Sequence, residues 1–301
     1  ARVCFNESGD PVGVERLGIA LEPEADFELR PDGGGCEDPR ITFIEPLQRY
    51  VMTYTAQSSR GSRIALAMSE DLFHWDRLGL AIFMPYEGVD FNEVANKDAL
   101  LFPDAIPDPD GRPSMALIHR PLFPGTGPDE KLHCRFPRVM DILRESIWIS
   151  YHSLVDEVCD KHHHLCHFDS HRRLACPVAP WEQLKIGGGT PPMLTPQGWL
   201  FLYHGVSVAL NKLSACELSY SAGLLVLDEK HPHQIRYRSP DPILTPELPK
   251  EREGIVPNVV FPTAIDRRDD LGLPGRFDVY YGMADKRIGV ARLDLPQHLP
   301  K

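Results

Sequence analysis

A single acidic residue at the start of an apolar run is the first candidate for chemistry in this chain. Asp98 is followed directly by the run ALLF at 99–102, so its carboxyl group is expected where a strand leaves the core. Partial desolvation at such a position would raise the pKa of the carboxyl group toward the range in which an acid donates a proton during catalysis. One Asp before a strand carries little weight alone, so the hypothesis depends on its partners.

Basic residues lie at the edges of other strand-like runs, although the chain as a whole is acidic. The formal net charge is −11, from 32 Lys and Arg against 43 Asp and Glu. If the runs converge, the cations meet at one place, and such a cluster is stable only with an anion bound. We therefore predict a site for inorganic phosphate or a sugar phosphate. Its candidate members are Arg60, Arg63, His119, Arg120, Arg144, Lys185 and His204.

Two acids and an arginine open another run, which reads GCEDPR at 35–40. Like charges side by side at a strand start are costly unless the arginine or a ligand offsets them. One interpretation is a solvated turn in which Glu37, Asp38 and Arg40 form a local ion pair. The other is a polar wall that binds the hydroxyl groups of a substrate.

A segment rich in His and Cys, residues 159–171, could in principle chelate zinc. Cys159 with His163 and Cys166, or His167 with His171, have spacings found in zinc sites. The order of the ligands matches no familiar zinc finger, and most His-rich loops are exposed. We predict no metal.

The elements that must position these residues are short strands. Pro and Gly, 29 and 23 residues, interrupt nearly every window long enough for a helix. Five runs that end in an aromatic or His residue recur at 50–57, 113–120, 146–152, 198–205 and 276–282, most with shorter runs on both sides. Five units of about 60 residues each predict an all-β fold, namely a five-bladed β-propeller. We expect it to form one domain over 1–301, with the polar ends of its strands in a central channel. A β-sandwich or two small β domains are the alternatives.

Composition excludes several classes of partner. The acidic balance argues against nucleic acid, and no apolar run approaches the roughly 18 residues that span a bilayer. The first residues lack the charged-then-apolar order of a signal peptide. Seven scattered cysteines suit reduced thiols, so we expect a soluble protein of the cytoplasm. The sequence leaves a homo-oligomer open.

Seven segments together resemble glycoside hydrolase family 130, the mannoside phosphorylases and related β-mannosidases. They extend over most of the chain in the order found in the family, and the blocks from KIGGGTPP to YHGV and VPNVVFP are the most specific. The segments are 35–40, 96–103, 119–121, 185–192, 198–206, 251–262 and 280–285.

The resemblance implies a five-bladed propeller with its active site in the central channel, and it places Asp98 at the position of the catalytic acid. Residues at seven positions are implied to bind phosphate: Arg60, Arg63, Arg120, Arg144, Lys185, His204 and Tyr281. Five more are assigned to the mannosyl hydroxyls, mostly by position: Glu37, Asp38, Arg40, Asn96 and Asp285.

The set of cations favours phosphorolysis over hydrolysis. Inverting hydrolysis needs a second carboxylate to activate water, whereas phosphate is already anionic and needs positive charge to position it. We therefore expect inverting phosphorolysis of β-1,4- or β-1,2-linked manno-oligosaccharides to α-mannose 1-phosphate, with phosphate as co-substrate and no cofactor. One alternative is a β-mannosidase in which Glu217 or Glu253 activates water. The other is a non-catalytic propeller that binds carbohydrate.

Overall fold

The computed structural model describes residues 1–31, 34–123, 145–154, 165–210 and 216–300. Within these ranges the regular structure is almost entirely β. Among the described residues the one α-helix is a single turn, Pro249–Arg252, and 3-10 turns cover Asp26–Glu28, Glu45–Leu47, Pro180–Glu182 and Asp269–Leu271. The predicted all-β class is confirmed. No helix in the described ranges reaches the length and apolarity of a membrane span.

The strands form four sheets and a two-stranded ribbon. The ribbon pairs β1 (Arg2–Phe5) with β2 (Pro11–Glu15). Sheet one is an antiparallel meander of β3 (Gly35–Ile44), β4 (Arg49–Ser58), β5 (Gly61–Ser69) and β6 (Asp76–Leu80). Sheet two has the order β7-β12-β11-β10-β8, with β9 also on β10; its strands are β7 (Ile82–Phe83), β8 (Ala95–Leu101), β9 (Ile106–Pro107), β10 (Pro113–Leu122), β11 (Ile147–Ser153) and β12 (His167–Ala175).

The other two sheets come from the second half of the chain. Sheet three has the order β13-β15-β16-β17, with β14 also on β15; its strands are β13 (Lys185–Gly188), β14 (Met193–Thr195), β15 (Gly198–Leu210), β16 (Cys216–Leu227) and β17 (Ile235–Arg238). Sheet four is the meander β18 (Val260–Arg267), β19 (Arg276–Met283) and β20 (Arg287–Asp294).

The four sheets close into a propeller-like ring. Strand β3 contacts β8, β8 contacts β13, β18 contacts β15 and β16, and β18 also contacts β3. The predicted count of five blades is not confirmed in the described ranges. Runs 113–120 and 146–152, which the sequence suggested were separate units, lie on β10 and β11, and these strands pair directly in one sheet from Ser114 opposite Ser153 to His119 opposite Trp148.

A glutamate and a tyrosine form the same anchor in three of the sheets. In each, one carboxylate oxygen accepts two backbone N–H groups of a tight turn, and the other accepts the hydroxyl of a tyrosine on a neighbouring strand. Charge-assisted bonds of this kind contribute about 1.5–3 kcal/mol each when buried. The pairs are Glu28 with Tyr54, Glu182 with Tyr203 and Glu251 with Tyr281.

The first residues of the chain pack on its last sheet. Asp10, in the turn of the ribbon, accepts a hydrogen bond at 2.7 Å from Arg276 on β19, and the guanidinium of Arg268 lies 4.8 Å from the centre of the Phe5 ring. Arg268 in turn forms an ion pair with buried Asp278. The ribbon therefore joins the two ends of the described chain at sheet four.

Bulges interrupt the inner strands close to the ring axis. On β3 the pairing with β4 shifts between Glu37 and Arg40, and on β8 the pairing with β10 shifts beside Asp98. Asp38 and Asp98 have φ angles of 50° and 56°, in the left-handed region that few residues other than glycine adopt. A bulge turns a side chain away from the regular alternation of the strand, and here it re-aims both carboxylates.

Candidate active site

Asp98 is buried beneath two basic side chains. Its Oδ2 accepts a hydrogen bond at 2.5 Å from Nε of Arg120 on β10, and Nε2 of His204 on β15 lies 3.6 Å from the same oxygen. Only 2% of Asp98 and of Arg120 is exposed. Sheets two and three thus bring an acid and two of the predicted phosphate ligands together, as the sequence analysis expected.

The pKa of Asp98 differs from the expectation. Burial pushes the pKa of the carboxyl group up, but the positive charges of Arg120 and Lys97, the nearby ring of His204 and the hydrogen bond from Arg120 outweigh burial, so the pKa is lowered. The sequence-based prediction of a raised pKa was therefore wrong for this arrangement, because it considered desolvation without the ion pair. Asp98 is ionised in the absence of ligand.

Arg120 also binds a second acid that the sequence analysis missed. Its Nη1 forms an ion pair with the carboxylate of Glu145, whose side chain is 18% exposed. Glu145 lies two residues before β11 and pairs through its backbone with Lys185. The signal in the sequence was an acid beside a predicted phosphate ligand, Arg144, at a strand start. The cations therefore do not depend only on a bound anion, because two carboxylates of the protein offset them.

His204 and Lys185 lie on the same side of the site as Tyr220. The His204 ring lies 6.0 Å from the ring of Tyr220 and 4.6 Å from that of Phe261, and Nζ of Lys185 lies 5.8 Å from the centre of the Tyr220 ring. Tyr220 and Phe261 did not figure in the sequence-based prediction. Aromatic residues in the VPNVVFP segment and on β16 were the available signal.

The ionisation of these two bases depends on burial and on their neighbours. Burial lowers the pKa of His204 to about 3, with the charges of Arg120, Lys185 and Arg40 acting in the same direction and Asp98 opposing them. The imidazole is therefore neutral. Neither of its ring nitrogens makes a hydrogen bond to the described residues. Burial and Arg120 also lower the pKa of Lys185, while Asp98 opposes this shift.

Gly187 leaves the space in which the acid and the bases meet. A Cβ atom there would lie 2.2 Å from Oδ2 of Asp98, 2.5 Å from Cε1 of His204 and 2.8 Å from Nε of Arg120. No side chain fits at such distances. Gly187, the first glycine of the KIGGG motif, therefore allows Asp98, His204 and Arg120 to approach one another closely. The first residue of the motif is Lys185.

Arg40 crosses from sheet one to sheet three. Its Nε donates to the backbone oxygen of Gly189 at 2.6 Å, its Nη1 donates to the backbone oxygen of Asp38 at 2.9 Å, and its guanidinium carbon lies 5.4 Å from the centre of the Phe261 ring. Arg40 is buried, and its Nη2 makes no hydrogen bond to the described residues. This buried Nη2 group can therefore donate a hydrogen bond to an oxygen atom of a ligand.

Asp38 faces the same centre from sheet one. The crowding of protein around its carboxyl group and the charge of Asp98 raise its pKa, with Arg40 and Lys97 opposing, although the side chain still reaches solvent. Glu37 beside it accepts a hydrogen bond at 3.1 Å from Gln57. Both acids are exposed, and of the two only Asp38 has a described electrostatic interaction with the centre, through the charges of Arg40 and Asp98.

The remaining predicted sugar ligands flank this centre. Asn96 is buried and lies 3.0 Å from Nδ1 of His119 through its amide nitrogen. Asp285 is exposed at the end of β19, with a left-handed φ of 52°, and its charge reaches Tyr220.

Three predicted phosphate ligands are not placed beside Asp98. Arg60 and Arg63 line a cleft of about 1020 Å³ with Asn96 and Glu93, and no described contact joins either arginine to Asp98. The hydroxyl of Tyr281 donates to Glu251 at 2.7 Å, the same anchor that Tyr54 and Tyr203 form. Arg144 lies outside the described residues.

Neither glutamate suggested as a hydrolytic base has a described contact with Asp98. Glu217 accepts a hydrogen bond at 3.0 Å from Asn258, and Glu253 is exposed next to the single helical turn. The described residues contain no group of three metal-ligating side chains. Cys159 and His163 of the suggested zinc segment lie outside them.

Comparison with known proteins identifies the family. The family model described as beta-1,4-mannooligosaccharide phosphorylase matches residues 2–299. A 1,2-beta-oligomannan phosphorylase of Thermoanaerobacter sp. (strain X514) is 32% identical over 300 residues, which cover 98% of this chain and 79% of the relative.

Two solved structures have the same fold. Beta-1,2-mannobiose phosphorylase from Listeria innocua, in complex with beta-1,2-mannobiose, superposes with a TM-score of 0.65 at 24% identity, covering 93% of this chain and 62% of that one. A structure from a study of family members that hydrolyse beta-1,2 mannosidic linkages in Candida mannan gives 0.60 at 22% identity, over 89% of this chain and 66% of that one. Since the family model matches almost the whole sequence, the chain belongs to glycoside hydrolase family 130.

Proposed function

We propose that this protein catalyses inverting phosphorolysis of β-mannosides, giving α-mannose 1-phosphate and a shortened sugar. The observation that carries the proposal is the convergence of one buried acid, Asp98, with Arg120, Lys185 and His204 at the ring axis. The family model and the Thermoanaerobacter relative, both named as mannoside phosphorylases, support the same reaction class. Inorganic phosphate is the co-substrate, and no cofactor takes part.

The phosphate is held by donors that the protein leaves partly unused. The Nη2 group of Arg40 and the ring nitrogens of His204 are buried without hydrogen bonds to the described residues, and Lys185 adds a positive charge nearby. A neutral imidazole can donate one hydrogen bond to a phosphate oxygen. Arg60, Arg63 and Tyr281 keep their proposed role as phosphate ligands only if the loops or the Glu251 anchor rearrange when phosphate binds. Arg144 keeps its proposed role from the family resemblance.

The low pKa of Asp98 fits an acid that is prepared by its co-substrate. Arg120 holds Asp98 ionised in the empty site. A phosphate dianion beside Arg120 offsets that positive charge, so the pKa of Asp98 rises and the carboxyl group takes up a proton. Phosphate binding then precedes proton donation.

The reaction balances around this one acid. Asp98 gives its proton to the glycosidic oxygen, directly or through a mannosyl hydroxyl, while the bond between C1 and that oxygen breaks. A phosphate oxygen forms a bond to C1 from the opposite face, which converts the β-mannoside to an α-phosphate. Side chains at the wall of the site bind the mannosyl hydroxyls: Glu37, Asp38, Arg40, Asn96 and Asp285.

Hydrolysis is the second candidate, because one observation favours it. Glu145 is a second carboxylate within reach of Arg120, and the family includes hydrolases that act on beta-1,2 mannosidic linkages. In that reaction Glu145, and not Glu217 or Glu253, would activate water. Its carboxylate is already engaged in an ion pair with Arg120, so we favour phosphorolysis.

One experiment separates the two reactions. Purified protein is incubated with β-1,2-mannobiose or β-1,4-mannobiose, with and without inorganic phosphate, and the products are followed by NMR. We expect α-mannose 1-phosphate that forms only with phosphate, and the better disaccharide identifies the linkage. Mannose released at the same rate without phosphate would instead establish the hydrolase.

Three broader expectations belong to the proposal. We propose that residues 1–301 form one catalytic domain, that the ring is completed to five blades, and that the protein works in the cytoplasm as a monomer or a homo-oligomer without nucleic acid or membrane partners. Four described cysteines are free thiols, Cys4, Cys36, Cys166 and Cys176, which supports a reducing compartment. A crystal structure would count the blades, and light scattering would give the oligomeric state.

A further inference from the structure

A line of hydrogen bonds crosses the whole of sheet two. Oγ of Ser150 on β11 lies 2.8 Å from Nε2 of His119 on β10 and 2.7 Å from Nδ1 of His171 on β12. Nε2 of His171 lies 2.8 Å from the backbone oxygen of Met84, which follows β7. At the other end, Nδ1 of His119 lies 3.0 Å from the amide nitrogen and 3.2 Å from the amide oxygen of Asn96 on β8. Each main strand contributes one group, and the line ends two residues before Asp98.

The line is enclosed by protein. Asn96, His119, Ser150 and His171 are all at most 2% exposed. The rings of Phe83 and Phe91 pack on both histidines, at centroid distances between 4.8 and 5.8 Å. In such a setting a polar group left unpaired is costly, so each donor must meet an acceptor.

This requirement gives the line one direction. The backbone oxygen of Met84 can only accept, so Nε2 of His171 carries a proton, and Nδ1 of the neutral ring must accept from Ser150. The hydroxyl oxygen of Ser150 then accepts from Nε2 of His119, which leaves Nδ1 of His119 as an acceptor. Only the amide nitrogen of Asn96 can donate to that atom.

Both histidines are neutral, as the argument requires. Burial, together with the neighbouring His171, lowers the pKa of His119 well below its usual value. Burial also lowers the pKa of His171, against opposing effects of its bond to Met84 and of the charge of Asp169.

We infer that this line is a positioning device that fixes the amide of Asn96 in one orientation. Of the two amide atoms near Nδ1 of His119, the nitrogen donates to it, while the oxygen, 3.2 Å from the same acceptor, cannot bond to it and is left with the second amide hydrogen for a ligand. Asn96 lines the same cleft as Arg60, Arg63 and Glu93. An amide that cannot rotate distinguishes a hydroxyl that donates to it from one that accepts. His119, Ser150 and His171 therefore help to select the sugar without touching it, and this consequence rests on the proposed function.

The direction of the line is tested without any enzyme assay. The protein is labelled with 15N-histidine, and the ring nitrogens of His119 and His171 are assigned with single His→Gln variants. We expect both rings to be neutral at pH 7 with the proton on Nε2. A proton on Nδ1 of either ring would overturn the inference, whatever reaction the protein catalyses.

The kinetic consequence is tested by removing one hydroxyl. Ser150→Ala should raise the KM for the mannoside about 3- to 10-fold, the effect of one hydrogen bond, and leave the KM for phosphate within about twofold. Ser150→Thr, which keeps the hydroxyl, should recover most of the loss. Ser114→Ala is the matched control, since Ser114 is equally buried in the same sheet but bonds only to the backbone of Arg112. It should leave both KM values unchanged.

A double variant shows whether Ser150 acts through Asn96. Once Asn96→Ala has removed the amide, adding Ser150→Ala should not raise the mannoside KM further. Additive effects, or an equal rise in the two KM values for Ser150→Ala alone, would assign Ser150 a purely structural role. If the protein proves to be a hydrolase, the mannoside KM of that reaction gives the same test.

Discussion

Asp38 and Asp98 lie in the same backbone conformation, but the pKa values of their carboxyl groups shift in opposite directions. Each lies at a bulge of an inner strand with a left-handed φ, and each turns its carboxyl group toward the ring axis. The pKa of Asp38 is raised, because the crowding around it and the charge of Asp98 outweigh Arg40. The pKa of Asp98 is lowered, because Arg120 donates to it directly. The position of a carboxylate thus follows from the strand, whereas its ionisation depends on which cation the neighbouring strand supplies.

The largest expected effect comes from exchanging the two acids for amides. Asp98→Asn should lower kcat by about 10³-fold or more, since a positioned acid contributes about 10²- to 10⁴-fold. Asp38→Asn should cost only about 10-fold and appear mainly in the KM for the mannoside. Product formation by the two variants gives the measurement, and equal losses would mean that the roles of the two carboxylates are not distinct. Sugar binding that survives in Asp98→Asn would confirm that the loss is chemical.

The second-largest effect is expected from filling the space between Asp98 and the two bases, Arg120 and His204. Gly187→Ala would place a methyl group 2.2 Å from the carboxylate of Asp98, and a shift of about 1 Å in a reacting group can cost about 10²-fold in rate. We expect a loss of that size in kcat/KM. Gly282→Ala is the control, because the nearest atom to its Cβ would be 3.7 Å away. Unchanged kinetics in Gly187→Ala would show that Asp98 and His204 do not need to approach each other.

Lys185 should affect phosphate far more than sugar. Removing one charged donor from a buried ligand costs about 1.5–3 kcal/mol, so Lys185→Ala should raise the KM for phosphate by about 10- to 100-fold. The KM for the mannoside should change less than threefold. Initial rates at varied phosphate give the measurement, with the exposed Lys230→Ala as control. A larger change for the mannoside would place Lys185 on the sugar side.

The smallest effect concerns stability and pH. The pKa of Asp98 is lowered in the folded protein, so its ion pair stabilises the fold above the pKa of the unfolded chain, near 4, and that stability is lost as the pH falls toward the folded value. Urea unfolding of wild type and Asp98→Asn should therefore differ most at pH 6 and less at pH 3. A difference that grows in acid would mean that Asp98 is protonated in the empty site.

The sequence predicted site residues best where only one residue type can fill the structural or chemical role. Lys185 and His204 were predicted from a motif: Nε2 of His204 lies 3.6 Å from Oδ2 of Asp98, and the charge of Asp98 acts on the pKa of Lys185. Two of the five predicted units proved to lie in one sheet. Strands β10 and β11, each buried over most of its length, look like equivalent centres of two sheets, and only their pairing shows that they are neighbours. The resemblance that assigned Tyr281 to phosphate could not show its other partner, because the hydroxyl of Tyr281 donates to Glu251, which is 30 residues away in the chain.

The contacts of Arg40 with Gly189 and Phe261 lie where the first sheet meets the last two, and the ribbon at residues 2–15 fastens the start of the chain onto the last sheet. No peptide bond links the two sides of this junction. Only non-covalent contacts therefore hold the ring closed at this junction. If the ribbon detaches, the first sheet can separate from the last two at Arg40. Phosphorolysis would then be lost while the β content of each sheet persists.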